Sequence, residues 1–264
     1  MHELAWIDPT AEVGEGTTVA PFAVIGAGVR IGRDNEIRSH VTVDGPGTEI
    51  GDRNRFFEGC VIGAPPQDKK YAGEPTRLVI GDDNTFREHV TAHRGTPFGG
   101  GVTRIGDRNL FLVGCHVAHD CEVQSDVILS NHVLLAGHVR VEDSAILNGA
   151  CAVHQFGTVG HLSYIGGLTR IVRDAPPYMV TEGHPARTAK VNAVGLARQG
   201  VPPERIELLQ RAFRHLFRRR HPTLRHALDA MDAASITSQE VDRLREFLKA
   251  SASGRNGRAR EAGA

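Results

Sequence analysis

By residue type and spacing, His116, His119, His138 and His154, with Asp120 directly after the second, are the residues of this 264-residue chain best suited to do chemistry. An imidazole that is neutral near pH 7 can take a proton from a hydroxyl if a partner fixes its tautomer. Asp120 is a possible partner, although side chains adjacent on a strand diverge and a corner is needed to bring the two together. Clustered imidazoles can also hold a metal. That use needs three ligands converging at about 2.1 Å on one ion, which a single strand edge rarely supplies without a second subunit. The expectation is acid–base chemistry with no metal and no other cofactor.

A second group of candidates lies in Gln67-Asp68-Lys69-Lys70-Tyr71, whose polar and cationic side chains suit a sugar and a phosphate; an ordinary solvated loop would read the same way. Positioning these groups falls to a repeat. Aliphatic or aromatic residues recur every six positions from Ile7 through Val43, then at Ile50, Phe56, Ile62, Ile80 and Phe86. From Ile105 to Ile171 the register is unbroken. Four residues after each stands something compact, such as Ala23, Val90 or Ala145, and all four cysteines (Cys60, Cys115, Cys121 and Cys151) fall there. They read as packing residues rather than redox or metal ligands. Asn35, Asn54, Asn84 and Asn109 share the position, where an amide can bond its neighbours and tolerate left-handed backbone.

A six-residue period fits neither a helix nor a hairpin meander. It fits a short strand plus a corner, three such units closing a triangular coil, with coils stacked at about 4.8 Å. The fold class is therefore an all-β parallel β-helix followed by a small α-helical domain; its resemblance to known hexapeptide prisms, not the period itself, implies that the β-helix is left-handed. Within the coil of three hexapeptides, His119 and His138 differ by one coil plus one residue and His154 by two coils minus one, so all sit near one edge with His116; His132 and His161 fall elsewhere. The prism is expected over 1–183, with loop insertions at about 63–79 and 93–104. Helices follow over 184–250, with Ile206, Leu209, Phe213 and Leu216 on one face and Leu224, Leu228 and Met231 on another. Thr237-Ser238-Gln239-Glu240 reads as a capping box, and 251–264 as a disordered tail.

The 31 basic and 31 acidic residues balance, which argues against nucleic acid as a partner. From His184 onward, however, there are 16 Lys/Arg against 8 Asp/Glu, so the helical part either meets an acidic partner or presents a solvated basic face. No signal peptide and no membrane span is expected, and the default location is the cytoplasm.

Gln-Asp-x-Lys-Tyr-x-Gly-Glu-Pro-Thr (67–76), His-Arg-Gly-Thr (93–96), His-Val-Ala-His-Asp-Cys (116–121), Leu-Ala-Gly-His (135–138), Ala-Val-His-Gln-Phe (152–156) and Pro-Pro-Tyr (176–178) resemble, collinearly over most of the chain, the UDP-N-acetylglucosamine acyltransferase family. The resemblance implies a homotrimer with sites between subunits, and transfer of an R-3-hydroxyacyl chain from acyl carrier protein to the sugar 3-hydroxyl of UDP-N-acetylglucosamine, the first step of lipid A biosynthesis. It makes His119 the general base, Asp120 its orienting partner and the Gly137 amide the oxyanion donor. His116, His138, His154, Gln155, Asp68 and Lys70 would hold sugar and acyl groups, with Lys70 near the diphosphate. Asn192 and Arg198 would contact the nucleotide or pantetheine region, and Gly167 would set acyl-chain length, its missing side chain leaving room for a longer chain. Arg211, Arg214, Arg218, Arg219 and Arg220 would meet the acidic carrier protein. Gln199 and His184 stand where the family commonly has arginine and asparagine. Two alternatives share the prism: the later N-acyltransferase of the same pathway, which normally carries an extra N-terminal domain, and a gamma-class carbonic anhydrase with interfacial zinc.

Overall fold

The repeat residues become strands because they alternate strictly: in each two-residue strand the first side chain points out and the second in. The computed structural model describes residues 1–263. Its strands stack into sheets of nine, eight and ten strands, parallel except for the last pair of the third, and along the repeat each strand pairs with the strands three units away in sequence. The three sheets are the faces of a prism. The first face begins with Trp6–Ile7, the second with Glu12–Val13 and the third with Thr18–Val19. The register runs in coils of 18 residues, as in His116↔Leu134↔Ala152.

The interior is one column of aliphatic side chains, in which Phe56, Phe86 and Phe111 stack with centroids 4.8 and 4.6 Å apart. All four cysteines are buried free thiols. Each donates to a carbonyl of the next coil, for example Cys60 Sγ to Arg87 O at 3.0 Å and Cys151 Sγ to Gly166 O at 2.9 Å. Burial pushes the Cys60 thiol up to about 12 and that of Cys115 up to about 11, as suits packing groups.

The corner between the second and third faces carries the asparagines. Asn35 Oδ1 accepts Asn54 N–H at 2.8 Å, Asn54 Oδ1 accepts Asn84 N–H at 2.9 Å, and Asn84 Oδ1 accepts Asn109 N–H at 2.9 Å. The left-handed residue is not the asparagine but the one before it: Asp34 (φ 54°), Arg53 (φ 55°), Asp83 (φ 60°) and Arg108 (φ 55°). The amide is held inside the prism as a rung, and its exposed neighbour takes the tight turn.

The inserted segments both leave at the corner between the first and second faces. One runs from Val61–Ala64 to Arg77–Ile80 and the other from Thr91–His93 to Val102–Ile105. Met179–Glu182 joins the third face and pairs antiparallel with Arg187–Val191. Four helices follow: α1 (Ala193–Arg198), α2 (Pro203–Phe213), α3 (Leu224–Ala233) and α4 (Gln239–Ser253). Their second core gathers Leu209, Met231, Val241 and Leu244 around Leu162 and Tyr178 of the prism. Ser238 caps α4 by accepting Val241 N–H at 3.3 Å, one residue later than a box begun by Thr237 would require. No described helix is long and apolar enough to cross a membrane.

The expectation of a disordered tail is corrected for 251–263. Helix α4 runs to Ser253, and the chain then turns back onto the prism, where the buried Arg258 donates to Val172 O at 2.5 Å and Ala259 N–H to Asp174 Oδ2 at 2.8 Å. Composition misleads here because a few polar anchors, rather than apolar burial, hold the segment.

Candidate active site

Asp120, His138, Phe156 and Asp174 stand 18 residues apart and so stack on one corner, the one from which both insertions leave. Asp120, His138 and Phe156 have left-handed backbone (φ 60°, 62° and 63°). This is the corner that the His119–Asp120 pair requires. His119 Nδ1 lies 2.8 Å from Asp120 Oδ2, although the residues are adjacent.

The Asp120 side chain is 1% exposed. Its oxygens also accept Thr96 N–H at 2.8 Å and Thr96 Oγ1–H at 2.7 Å, and its own N–H donates to Thr103 Oγ1 at 2.8 Å. Burial would raise the carboxyl pKa, but the hydrogen bonds from His119 and Thr96 outweigh it and hold the group below the usual carboxylate range. A Cβ on Gly99 would fall about 2.0 Å from this carboxyl, so the second inserted loop needs glycine to seal it. With Asp120 ionised and accepting at Nδ1–H, the His119 lone pair is at Nε2. A Cβ on Gly137 would lie 2.5 Å from His119 Cε1, so only glycine lets the backbone approach the ring. The Gly137 N–H donates no backbone hydrogen bond among the described residues.

His138 meets His119 edge-on, centroids 5.3 Å apart, and stacks on Phe156 at 4.4 Å. Its Nε2 is 3.7 Å from Asp120 Oδ2. Burial lowers its proton affinity, with His119 and Arg260 adding to the effect and Asp120 opposing it. His116 Nδ1 bonds Thr91 Oγ1 at 2.7 Å, and its ring meets His93 edge-on at 5.0 Å. His93 is buried; burial, then His116 and His119, push its imidazole down to about 4, so it is neutral. Burial lowers the proton affinity of His116 as well, so the imidazoles of His93, His116 and His138 are all shifted toward the neutral form.

Asp68, Lys70, Thr96, Phe98, Gly99, His138, Phe156 and Arg260 line a cleft of about 440 Å³. Asp68 and Lys70 therefore share this cleft with His138. Other expected residues sit elsewhere in the single chain. His154 is on the same corner, its Nδ1 near Gln155 O at 3.1 Å, while Gln155 is exposed. Gly167 is exposed at the corner between the third and first faces, beside the exposed Leu168. Asn192 caps α1, accepting Gly195 N–H at 3.1 Å and donating to Leu162 O at 2.9 Å. Arg198 is exposed in the last turn of α1, with no side-chain hydrogen bond or ion pair among the described residues.

His119, Asp120 and His138 also bring ligand atoms within 4.8 Å of one another. As arranged, Asp120 Oδ2 is engaged by His119 and Thr96. Sequence reasoning did not single out Thr91, Thr96, Phe156 or Arg260. Phe156 was signalled by its 18-residue offset from His138, whereas Arg260 lies beyond the repeat, where no spacing points to it.

A family model described as "Udp N-acetylglucosamine O-acyltransferase; Domain 2" matches residues 174–257, and the bacterial transferase hexapeptide model matches 10–45. The acyl-[acyl-carrier-protein]–UDP-N-acetylglucosamine O-acyltransferase of Myxococcus xanthus is 48% identical, over 78% of this chain and 80% of its own length. That of Alkalilimnicola ehrlichii is 46% identical over 94% and 95%. The crystal structure of a UDP-N-acetylglucosamine acyltransferase from Bacteroides fragilis superposes with a TM-score of 0.91 at 36% identity, covering 94% of this chain and 96% of that one.

Proposed function

The chain belongs to the UDP-N-acetylglucosamine O-acyltransferase family, and from that premise we propose that it transfers an R-3-hydroxyacyl chain from acyl carrier protein to the 3-hydroxyl of UDP-N-acetylglucosamine, the first step of lipid A biosynthesis. The carrying observation is the His119–Asp120 pair set against the Gly137 amide. His119 Nε2 takes the proton of the 3-hydroxyl as its oxygen attacks the thioester carbonyl. The Gly137 N–H donates to the oxyanion of the tetrahedral intermediate. Collapse restores the carbonyl, expels the carrier thiolate and leaves the ester, and the imidazolium returns its proton to the thiolate. Asp120 holds the Nδ1–H tautomer and stabilises the imidazolium. No cofactor takes part.

His116, His138, His154, Gln155, Lys70 and Asp68 hold the sugar and acyl groups, and Gly167, Asn192 and Arg198 join the site across the subunit boundaries of a homotrimer. The outward side chains support that assembly. The second face reads Glu12, Arg30, Glu49, Val79, Arg104, Glu122, Arg140 and Thr158, mostly charged as a solvated surface should be. The first face carries Trp6, Val24, Val61 and Leu134, and the third face Leu110, Ile128, Ile146 and Tyr164. Trp6 is 54% exposed and Leu134 49% in the single chain, a cost that burial between copies removes. The arginines of 211–220 fit an acidic carrier protein, although Arg218 also donates to Ala189 O. Gly167, with no side chain, leaves space for an acyl chain longer than ten carbons. The free thiols fit the reducing cytoplasm.

The test is acyl transfer from a series of 3-hydroxyacyl carrier proteins to UDP-N-acetylglucosamine. His119→Ala should lower kcat by on the order of 10³-fold or more. A variant with wild-type rate refutes the mechanism, and greatest activity with a ten-carbon chain refutes the role of Gly167. Stoichiometric zinc required for turnover would favour the metal reading of the His119, Asp120 and His138 trio.

A further inference from the structure

The segment after Ser253 places an arginine in the cleft. It runs along the corner of Asp120, His138, Phe156 and Asp174, anchored where Asp174 N–H donates to Gly257 O at 2.9 Å and Ala259 N–H to Asp174 Oδ2 at 2.8 Å. Arg258 is buried beneath it, paired with Glu261 at 2.7 Å. With its neighbours pinned on both sides, Arg260 extends to Glu122, Nη1 to Oε2 3.1 Å, and lines the cleft with Lys70 and His138.

The charges there do not cancel. Arg140 occupies the other oxygen of Glu122 at 2.6 Å, so two guanidiniums share one carboxylate. Burial would raise the Glu122 pKa, but both arginines together hold it low, so it is ionised and the trio carries a net positive charge. Across the cleft, the Lys70 ammonium makes no ion pair among the described residues. Of the residues lining the cleft, Asp68 is the one acid, facing two cations.

We propose that Arg260 is a substrate-binding residue that, with Lys70, holds a phosphate of the substrate beside His138. The assignment rests on the acyltransferase reading. Both substrates carry such a group: the diphosphate of the nucleotide sugar and the phosphodiester of the carrier's pantetheine arm. In a UDP-sugar the diphosphate leaves the ring at C1, two carbons along from the one that bears the 3-hydroxyl. A guanidinium that enters next to His138, one imidazole away from His119, lies where that group falls. A planar fork already ordered by Glu122 loses little freedom on meeting a phosphate.

The experiment compares Arg260→Gln and Arg260→Lys with wild type in steady-state kinetics for each substrate, and in calorimetric binding of UDP and of uridine. Losing one charge-assisted contact should raise the KM of the UDP-sugar roughly tenfold with kcat within about twofold. UDP binding should weaken in step, uridine binding should hold, and Lys should recover part of the loss. A KM rise confined to the acyl carrier protein also sustains a phosphate site and assigns it to the pantetheine arm. Unchanged KM for both substrates overturns the proposal. So does an equal loss of UDP and uridine binding, because that is the mark of a merely structural role. If the wild type transfers no acyl chain, the functional reading fails instead, and the comparison of UDP with uridine still tests the phosphate site.

Discussion

Two corners of the same prism use the same backbone for different ends. Between the second and third faces, left-handed residues such as Asp83 and Arg108 turn the chain so that Asn54, Asn84 and Asn109 form a buried amide ladder. Between the first and second faces, left-handed Asp120 and His138 turn it so that a carboxylate and imidazoles meet under two inserted loops. At the asparagine corner the amides bond from coil to coil, Asn109 Nδ2 alone of the ladder lacking a partner among the described residues, and the surface is closed. At the histidine corner the coils leave His119 Nε2 and the Gly137 amide for something else. Repetition stabilises the first corner; departures from repetition equip the second.

Substitutions should separate the two. Asp120→Asn at the histidine corner keeps the shape but removes the charge that orients His119, and should lower kcat by about 10²–10³-fold, read in the acyl-transfer assay. Asn84→Ala at the asparagine corner strands Asn109 N–H and Gly106 O. It should cost about 3 kcal/mol of stability, measured by denaturant unfolding, with kcat unchanged wherever the protein is folded. A kcat loss there would break the comparison.

The buried imidazole sharpens it through pH. The His93 pKa is pushed down to about 4 in the fold, so the unfolded chain takes up its proton first as pH falls. Stability from this group is whole above the ordinary histidine value of about 6.5 and drains away toward 4, by about 2 kcal/mol between pH 8 and pH 5. His93→Asn should remove that part of the pH dependence, measured as the wild-type minus variant difference at the two pH values. The smallest effect belongs to the exposed rim of the asparagine corner. Arg108 pairs with Asp126 at 2.8 Å in the open, and Arg108→Ala should leave the denaturant midpoint essentially where it is in the wild type.

The contrast also explains what could be read from the sequence. Phase within the repeat placed His116, His119, His138 and His154 on one edge and sent His132 and His161 to other corners, because a fixed period converts residue number into direction. It also marked the cysteines as packing groups. It could not show that Thr96 would reach Asp120, since that contact depends on how a loop outside the repeat folds back. The cap made by Asn192 and the docking of Arg260 escaped for the same reason: both are tertiary contacts made after the ruler ends.

The 18-residue coil also restricts how proteins of this architecture can change length over evolutionary time. Loss of a single hexapeptide between Asp120 and Gly137 would keep the remaining strands and the aliphatic column. It would also rotate all later coils by a third of a turn, carrying His138 and Phe156 to a different corner from His119. Loss of a whole coil keeps the angle, but separates partners or brings together ones that were not selected as neighbours. Insertions and deletions in the corner loops, or of whole coils away from the histidines, would therefore leave the site's geometry intact. A lineage that gained or lost one hexapeptide within this stretch would keep a well-folded prism and lose its site in one step.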